Sequence, residues 1–527
     1  MDHDSAASPP PAASRIRVWP AAAVVVLYWT FQIIVAQTDM AMFPRFLSNS
    51  LGALAFLLLS IVLWLTNGRL TGRMRLLGLA VLLGGLFVGV LLADRSFNPV
   101  SFLLTAVPYV LTTWAGWLMY VRRSGAPSGA GLAAVLLGTI GVVDLIRWNG
   151  LDGRLRSSVS WRWSATPEQI FLASKPATVT GEISTRPWTL RAGDSPEFRG
   201  LLRDGVVRGV RIATNWMESP PEKIWRQGVG PGWSSVTVVD GYLVTQEQRG
   251  DCEAVVCYDA ETGKEVWIHQ DPARFTEGIS GAGPRATPTY RDGRIYAFGA
   301  GGLLLCLDSR SGKAIWSRDV AREAAAPPPQ WGYSASPLVA GERVVVFAGG
   351  SKGTAAFDAS TGAPAWAREG GKDSYSSAQL VSIRGQAQIL MQDSQRMTGL
   401  SLADGALLWE RANPTPPAAP MLQPHPLEGG MLLASTGQDL ALLELREEGA
   451  KWTVVEKWAS SRFRPSFGDF VVHHGCVFGL DDGVLSCVDI KTGERVWKKG
   501  RYGSGQLLLL EDQGVLVILS EKGELAL

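Results

Sequence analysis

The chain has 527 residues, with 50 Lys and Arg against 48 Asp and Glu and a formal net charge of +2. That balance excludes a general nucleic-acid binder, and the length allows two or three domains. The average conceals a division: residues 1–150 contain five Asp and no Lys or Glu, whereas from about residue 151 the chain has the charge, glycine and turn residues of a soluble β protein.

Residues 1–17 read as a short cytoplasmic tail. Five apolar stretches follow, at 18–37, 51–65, 76–92, 102–121 and 130–146. Each is long enough, or nearly so, to cross about 30 Å of hydrocarbon as a helix. A cleaved signal peptide would be one such stretch; five in series predict an α-helical transmembrane domain over 18–147. Arg15, Arg17, Arg69, Arg73, Arg75, Arg122 and Arg123 flank one side of the spans, and Arg45 and Arg95 the other. The excess of basic residues marks the cytoplasmic side. A bacterial inner-membrane protein is therefore expected, with the bilayer as one partner, a cytoplasmic N-terminus and everything after about residue 147 in the periplasm. Gln32 and Asp144 are the candidates within the spans for a polar relay or quinone site, Asp144 lying near the outer end of its span beside Arg147.

Residues 148–224 read as a periplasmic linker, with "SWRW" (160–163) ahead of a short helix. Beyond them, Trp225, Trp267, Trp316, Trp366, Trp409, Trp458 and Trp497 recur every 39 to 50 residues. Within a period, short strands alternate with turns, as in "ATPTY-RDGR-IYAFGA" and "LLLCLD-SRSG-KAIW". Such a period predicts four-stranded propeller blades over 225–527.

Most of these tryptophans follow one phrase: "CYDAETGKEVW", "CLDSRSGKAIW", "AFDASTGAPAW" and "CVDIKTGERVW". Asp259, Asp308, Asp358 and Asp489 are placed to accept backbone N–H bonds that fix a turn, with Thr262, Thr361 and Thr492 assisting. Gly263, Gly312, Gly362, Gly405 and Gly493 supply the positive φ that closes it. Trp267, Trp316, Trp366, Trp409 and Trp497 then cover the seam to the next blade, each burying roughly 150–250 Å². The phrase is a blade fastener. It weakens around Trp409 and is almost lost around Trp458.

These copies resemble the tryptophan-docking repeats of the quinoprotein-like propellers, which include the pyrroloquinoline quinone (PQQ) dehydrogenases and an outer-membrane-assembly lipoprotein. "DSPEFRGLLRDGVVRGV" (194–210) resembles the segment leading into PQQ-binding-like repeat propellers. The resemblance implies about eight blades. The residues themselves suggest seven, closed by pairing "PPEKIW" (220–225) as an outer strand with three C-terminal strands, or an eight-bladed ring cut short at Leu527.

Five spans before a propeller are also similar to membrane glucose dehydrogenases, which would imply PQQ and Ca²⁺. Against this, the propeller is about half that family's length, there is no adjacent Cys pair, and no Ca²⁺-ligand set is visible. Cys252, Cys257, Cys306, Cys476 and Cys487 are single, and His3, His269, His425, His473 and His474 lack metal-ligand spacing. No catalytic residue and no metal site is assigned. A ligand face is expected where loops lead into the innermost strands, at Trp233, Arg285, Trp331, Tyr333, Tyr375, Gln423, His425, Arg464 and Tyr502. The Pro-rich loops 324–330 and 413–420 suit a rim around it. The first functional expectation is a non-catalytic binding or scaffold module for a periplasmic protein or carbohydrate. The second is a PQQ dehydrogenase passing electrons to quinone; the third is a carbohydrate sensor.

Overall fold

In the computed structural model the apolar stretches are helices, which satisfy their own backbone polar groups as a crossing of hydrocarbon would require. The structure describes residues 18–38, 42–68, 70–124, 129–151, 157–175, 185–278, 280–383, 385–413, 420–435, 439–449, 451–465 and 468–527. Of the basic flank, Arg15, Arg17 and Arg69 lie outside them, as does most of the 413–420 loop. The chain divides into two compact units, Met1–Ser164 and Ala165–Leu527. Residues 165–224 belong to the same compact unit as the propeller.

The first unit holds α1 (Trp19–Gln37), α2 (Met42–Thr66), α3 (Gly72–Leu92), α4 (Pro99–Ser124) and α5 (Gly129–Asp144). The first four are long and apolar enough to cross a membrane. The fifth has 16 residues, about 24 Å of helix, short of a full crossing without its flanks. Gly85 and Gly89 allow α3 to lie directly against Ile140 of α5; a Cβ at either would fall within 3 Å of that side chain. Polar side chains pair across helices, as in Trp29 Nε1 to Thr112 Oγ1 (3.1 Å) and Thr113 to Thr139 (3.0 Å). Arg162 ties two helix ends together, donating to the Leu92 and Asp144 carbonyls and pairing with Asp94 at 3.4 Å. The C-termini of α3 and α5 therefore lie at the same end of the bundle.

In the second unit, α6 (Pro167–Ser174) is the short helix expected after "SWRW", started by a Thr166–Gln169 capping box. Seven four-stranded sheets follow among the described residues. Blades 1 to 6 span 237–272, 289–319, 338–368, 379–412, 425–460 and 470–501, each a meander from inner to outer strand. The seventh combines Gln506–Leu510, Val515–Leu519 and Leu525–Ala526 with Val206–Val207, which pairs parallel to Leu509 and Leu510. This corrects the expected closure. Residues 220–225 form no strand; the N-terminal contribution lies at the inner edge of the last blade, not the outer.

The repeated phrase has one geometry. Asp259 Oδ1 accepts from the Thr262 N–H and hydroxyl at 2.8 and 2.7 Å, and the Gly263 N–H closes on Asp259 O. Asp308 with Ser311, Asp358 with Thr361 and Asp489 with Thr492 repeat it. Each of five indoles then crosses to the adjoining repeat. It donates to the carbonyl of the residue after the first turn residue: Trp225 to Ala260, Trp267 to Ser309, Trp316 to Ala359, Trp366 to Leu402 and Trp458 to Ile490, at 2.9–3.1 Å. Its ring lies over that turn's glycine: Gly263, Gly312, Gly362, Gly405 and Gly493. A Cβ at Gly312, where φ is +67°, would come within 2.4 Å of the Trp267 ring. Gly312→Ala is therefore expected to destabilise the propeller by more than about 1 kcal/mol, measured by denaturant unfolding. Trp409 departs from the rule. The following blade has a long hairpin, Leu440–Glu448 with Lys451–Ser460, in place of the turn, and Trp409 Nε1 bonds instead to Gln388 Oε1 at 2.8 Å.

A second fastening lies on the inner seams. The Ser235 N–H donates to Thr287 Oγ1, the Thr287 N–H to Ser336 Oγ, and the Ser336 N–H to Ser377 Oγ, at 2.9–3.2 Å. Four successive blades are thus linked by hydroxyls just ahead of their inner strands.

Candidate functional site

The space between the inner strands is crossed by the chain itself. Ser195 exchanges two backbone hydrogen bonds with Val238 of blade 1, and Pro196 O accepts from the Tyr290 N–H of blade 2. Arg203 donates to Ser336 O and Pro337 O, at the start of blade 3, and Leu202 O accepts from Gln379 of blade 4. Arg199 pairs with Asp469 at 2.9 Å and bonds Phe470 O of blade 6. Val206 and Val207 join blade 7. Residues 195–207 therefore touch six of the seven blades and plug the axis. Glu197 and Arg203 pair at 2.7 Å with 4 % and 3 % exposure. Arg199 and Arg203 both have positive φ, 65° and 55°, a backbone strain that persists only where surroundings over-determine it.

The expected ligand-face residues separate into two groups. Tyr333, Gln423 and His425 are not at a surface. Tyr333 is buried beside Phe298 with its hydroxyl on Ala348 O. Gln423 bonds Ala378 O and Gln379 Oε1, fastening blades 4 and 5. His425 packs 5.6 Å from Phe470; burial holds its pKa down at about 4, so it is neutral at physiological pH. Arg464 is exposed beside Ser461 O, and Tyr502 is half-buried on Gly483 O. Tyr333, Gln423 and His425 thus lie in seams between blades, and Arg464 and Tyr502 beside turns.

Trp233, Arg285, Trp331 and Tyr375 do come together. A small hairpin, Thr276–Glu277 with Gly281–Ala282, folds over the mouth between blades 1 and 2. Trp233 donates its indole N–H to Ser280 O on that hairpin and is 64 % exposed. The buried Arg285 guanidinium lies 4.7 Å over Phe275 and bonds Ser280 Oγ, Gly281 O and Gly283 O. Burial lowers its pKa, with Glu277 at 3.8 Å opposing that shift. Trp331 is half-buried and packs 5.1 Å from Tyr375, whose hydroxyl accepts its backbone N–H. Tyr375 lies within electrostatic range of Arg285 and Glu277. The result is an aromatic rim around a braced cation.

Three members, Glu253, Phe275 and Glu277, escaped the sequence reading. For Phe275 and Glu277 the signal is the extra length of "DPARFTEGISGAGPR" between Trp267 and the next inner strand; Glu253 lies on the blade 1 strand Cys252–Asp259 and has no such signal. Glu253 is mostly buried, and one of its oxygens, Oε1, has no hydrogen-bond partner among the described residues. Burial pushes its pKa up to about 7. The folded state therefore holds a proton that the unfolded state releases near pH 4.5, so this group's stabilisation declines as pH rises from about 4.5 to 7. Glu253→Gln is expected to flatten that decline, read as the difference between variant and parent Tm at pH 5 and pH 8.

The PQQ-repeat family profile described as outer membrane protein assembly factor BamB matches residues 251–499. The dehydrogenase subunit of a quinone alcohol dehydrogenase from Gluconacetobacter polyoxogenes is 33 % identical over 203 residues, covering 32 % of this chain and 27 % of that protein. Quinohemoprotein alcohol dehydrogenase ADH IIB of Pseudomonas putida is 30 % identical over 121 residues, covering 21 % and 17 %. The alignments thus span about a quarter or less of those enzymes. Among solved structures, BamB from Moraxella catarrhalis aligns over 56 % of this chain and 82 % of that one, with 17 % identity and a TM-score of 0.39. The propeller of this chain is therefore similar to the PQQ-repeat family over residues 251–499, and in the same chain it is preceded by four helices long and apolar enough to cross a membrane.

Proposed function

We infer that the chain is an inner-membrane-anchored binding module whose propeller receives a periplasmic protein or carbohydrate at the rim of Trp233, Trp331 and Tyr375. The observation that carries this reading is the filled axis. Residues 195–207 occupy the channel with a buried ion pair and a backbone strand, leaving the exposed Trp233 and the half-buried Trp331 and Tyr375 of one mouth as the accessible face. PQQ with Ca²⁺ would require a flat slot and a convergent set of anionic ligands. Among the described residues no three His, Cys, Asp or Glu side chains come together, and the Arg285 donors are already committed to Ser280, Gly281 and Gly283. The residues present do not fit that group, and no redox step is assigned to them.

The bundle supports the orientation. α3 and α5 end together under Arg162, opposite the end that carries Arg73 and Arg75. With basic residues inside, the chain after Ser164 emerges on the periplasmic side. A phosphatase active only in the periplasm should be active when fused after Ser164 and inactive when fused after Thr71; the reverse pattern would overturn the orientation. For binding, a photo-crosslinking residue at Trp233 or Trp331 should trap a defined adduct in intact cells, and one at Arg322, which is 84 % exposed, should not. Equal labelling at all three positions would contradict a mouth-specific partner.

A further inference from the structure

The helical unit contains a cavity of about 440 Å³ between α1, α2 and α4, lined by Val25, Ser60, Trp64, Leu111, Trp114 and Leu118 among others. That volume falls within the range of small-ligand sites. Most lining side chains are apolar, Ser60, Thr66 and Asn67 being polar, and one buried donor stands out. Trp114 is 3 % exposed, and its indole N–H has no hydrogen-bond acceptor among the described residues. Its neighbour Trp64, 4.7 Å away, spends its own N–H on Arg75 O. A buried donor without an acceptor is costly, more so in hydrocarbon, where no water substitutes. The cavity therefore asks for a ligand with a long apolar body and a single neutral acceptor oxygen. α1 and α2 also carry exposed apolar side chains, including Leu27, Leu59 and Val62, a surface suited to hydrocarbon.

We propose that this cavity holds one glycerolipid, its acyl chain between α1, α2 and α4 and its ester carbonyl accepting from Trp114 Nε1. The proposal rests on the helices lying in a bilayer. It is tested on the full chain, purified in mild detergent, by native mass spectrometry and lipid extraction. Trp114→Phe keeps the ring and deletes the donor; Ser60→Phe fills the cavity from α2. The parent should retain one glycerolipid per chain, Trp114→Phe should lower retention by about 3–10-fold, and Ser60→Phe should abolish it, with helical circular dichroism unchanged in both. Equal retention in all three, no lipid on the parent, or an isoprenoid quinone in its place would each overturn the assignment while leaving the anchored reading intact. Recovery of the chain from the soluble fraction would overturn the anchoring and this site together.

Discussion

Arg203→Met is expected to lower the unfolding free energy of the propeller by about 3–5 kcal/mol, the usual cost of leaving one partner of a buried ion pair uncompensated. Glu197 keeps only a distant cation, Arg291 at 3.6 Å. The guanidinium also gives up two carbonyls, Ser336 O and Pro337 O, that belong to another blade. The double variant Glu197→Gln with Arg203→Met should recover a substantial part of the loss, because it removes the stranded charge. A control on the exposed pair Arg322 and Asp319, 3.9 Å apart, should change stability by less than about 0.5 kcal/mol. Denaturant unfolding followed by tryptophan fluorescence measures all three. A loss at Arg203 below about 1 kcal/mol would mean that the 195–207 segment does not plug the axis.

Trp267→Ala is expected to cost about 3–5 kcal/mol, as for other buried Trp-to-Ala truncations. The indole is 3 % exposed, covers Gly312 and donates to Ser309 O. Trp267→Phe should recover most of that and leave a deficit of about 1 kcal/mol for the lost hydrogen bond. Trp497 carries the same position in the repeat but is 40 % exposed, beside Phe478. Trp497→Ala should therefore cost far less than Trp267→Ala. Equal losses at the two sites would show that the repeat residue matters by its type and not by the seam it covers.

The fastener was legible in the sequence because every blade needs the same turn and the same cover, so the physics repeats with the chain. Asp259, Thr262, Gly263 and Trp267 act within a dozen residues, or on the adjoining repeat. Even the failures carry information: the phrase is lost where the blade 5 hairpin lengthens, and Trp409 turns to Gln388 because its usual target is missing. The plug was not legible in this way. Arg203 meets Pro337 across 134 positions and Arg199 meets Phe470 across 271, and no local pattern announces partners so remote. Val206 and Val207 are too short a run to read as a strand. At the mouth, aromatic and basic residues near the inner strands were found, but composition alone did not separate Trp331, which is half-buried, from Tyr333, two residues on and fully buried.

The central claim, a propeller that binds at its mouth and does not hold a redox cofactor, is tested most directly by titrating the purified full chain with PQQ in the presence of Ca²⁺. Bound cofactor is measured by equilibrium dialysis and absorption, and dye reduction is followed with alcohols and sugars. The account predicts no stoichiometric binding at micromolar PQQ and no substrate-dependent reduction. One PQQ per chain with turnover would contradict it and make the propeller a dehydrogenase.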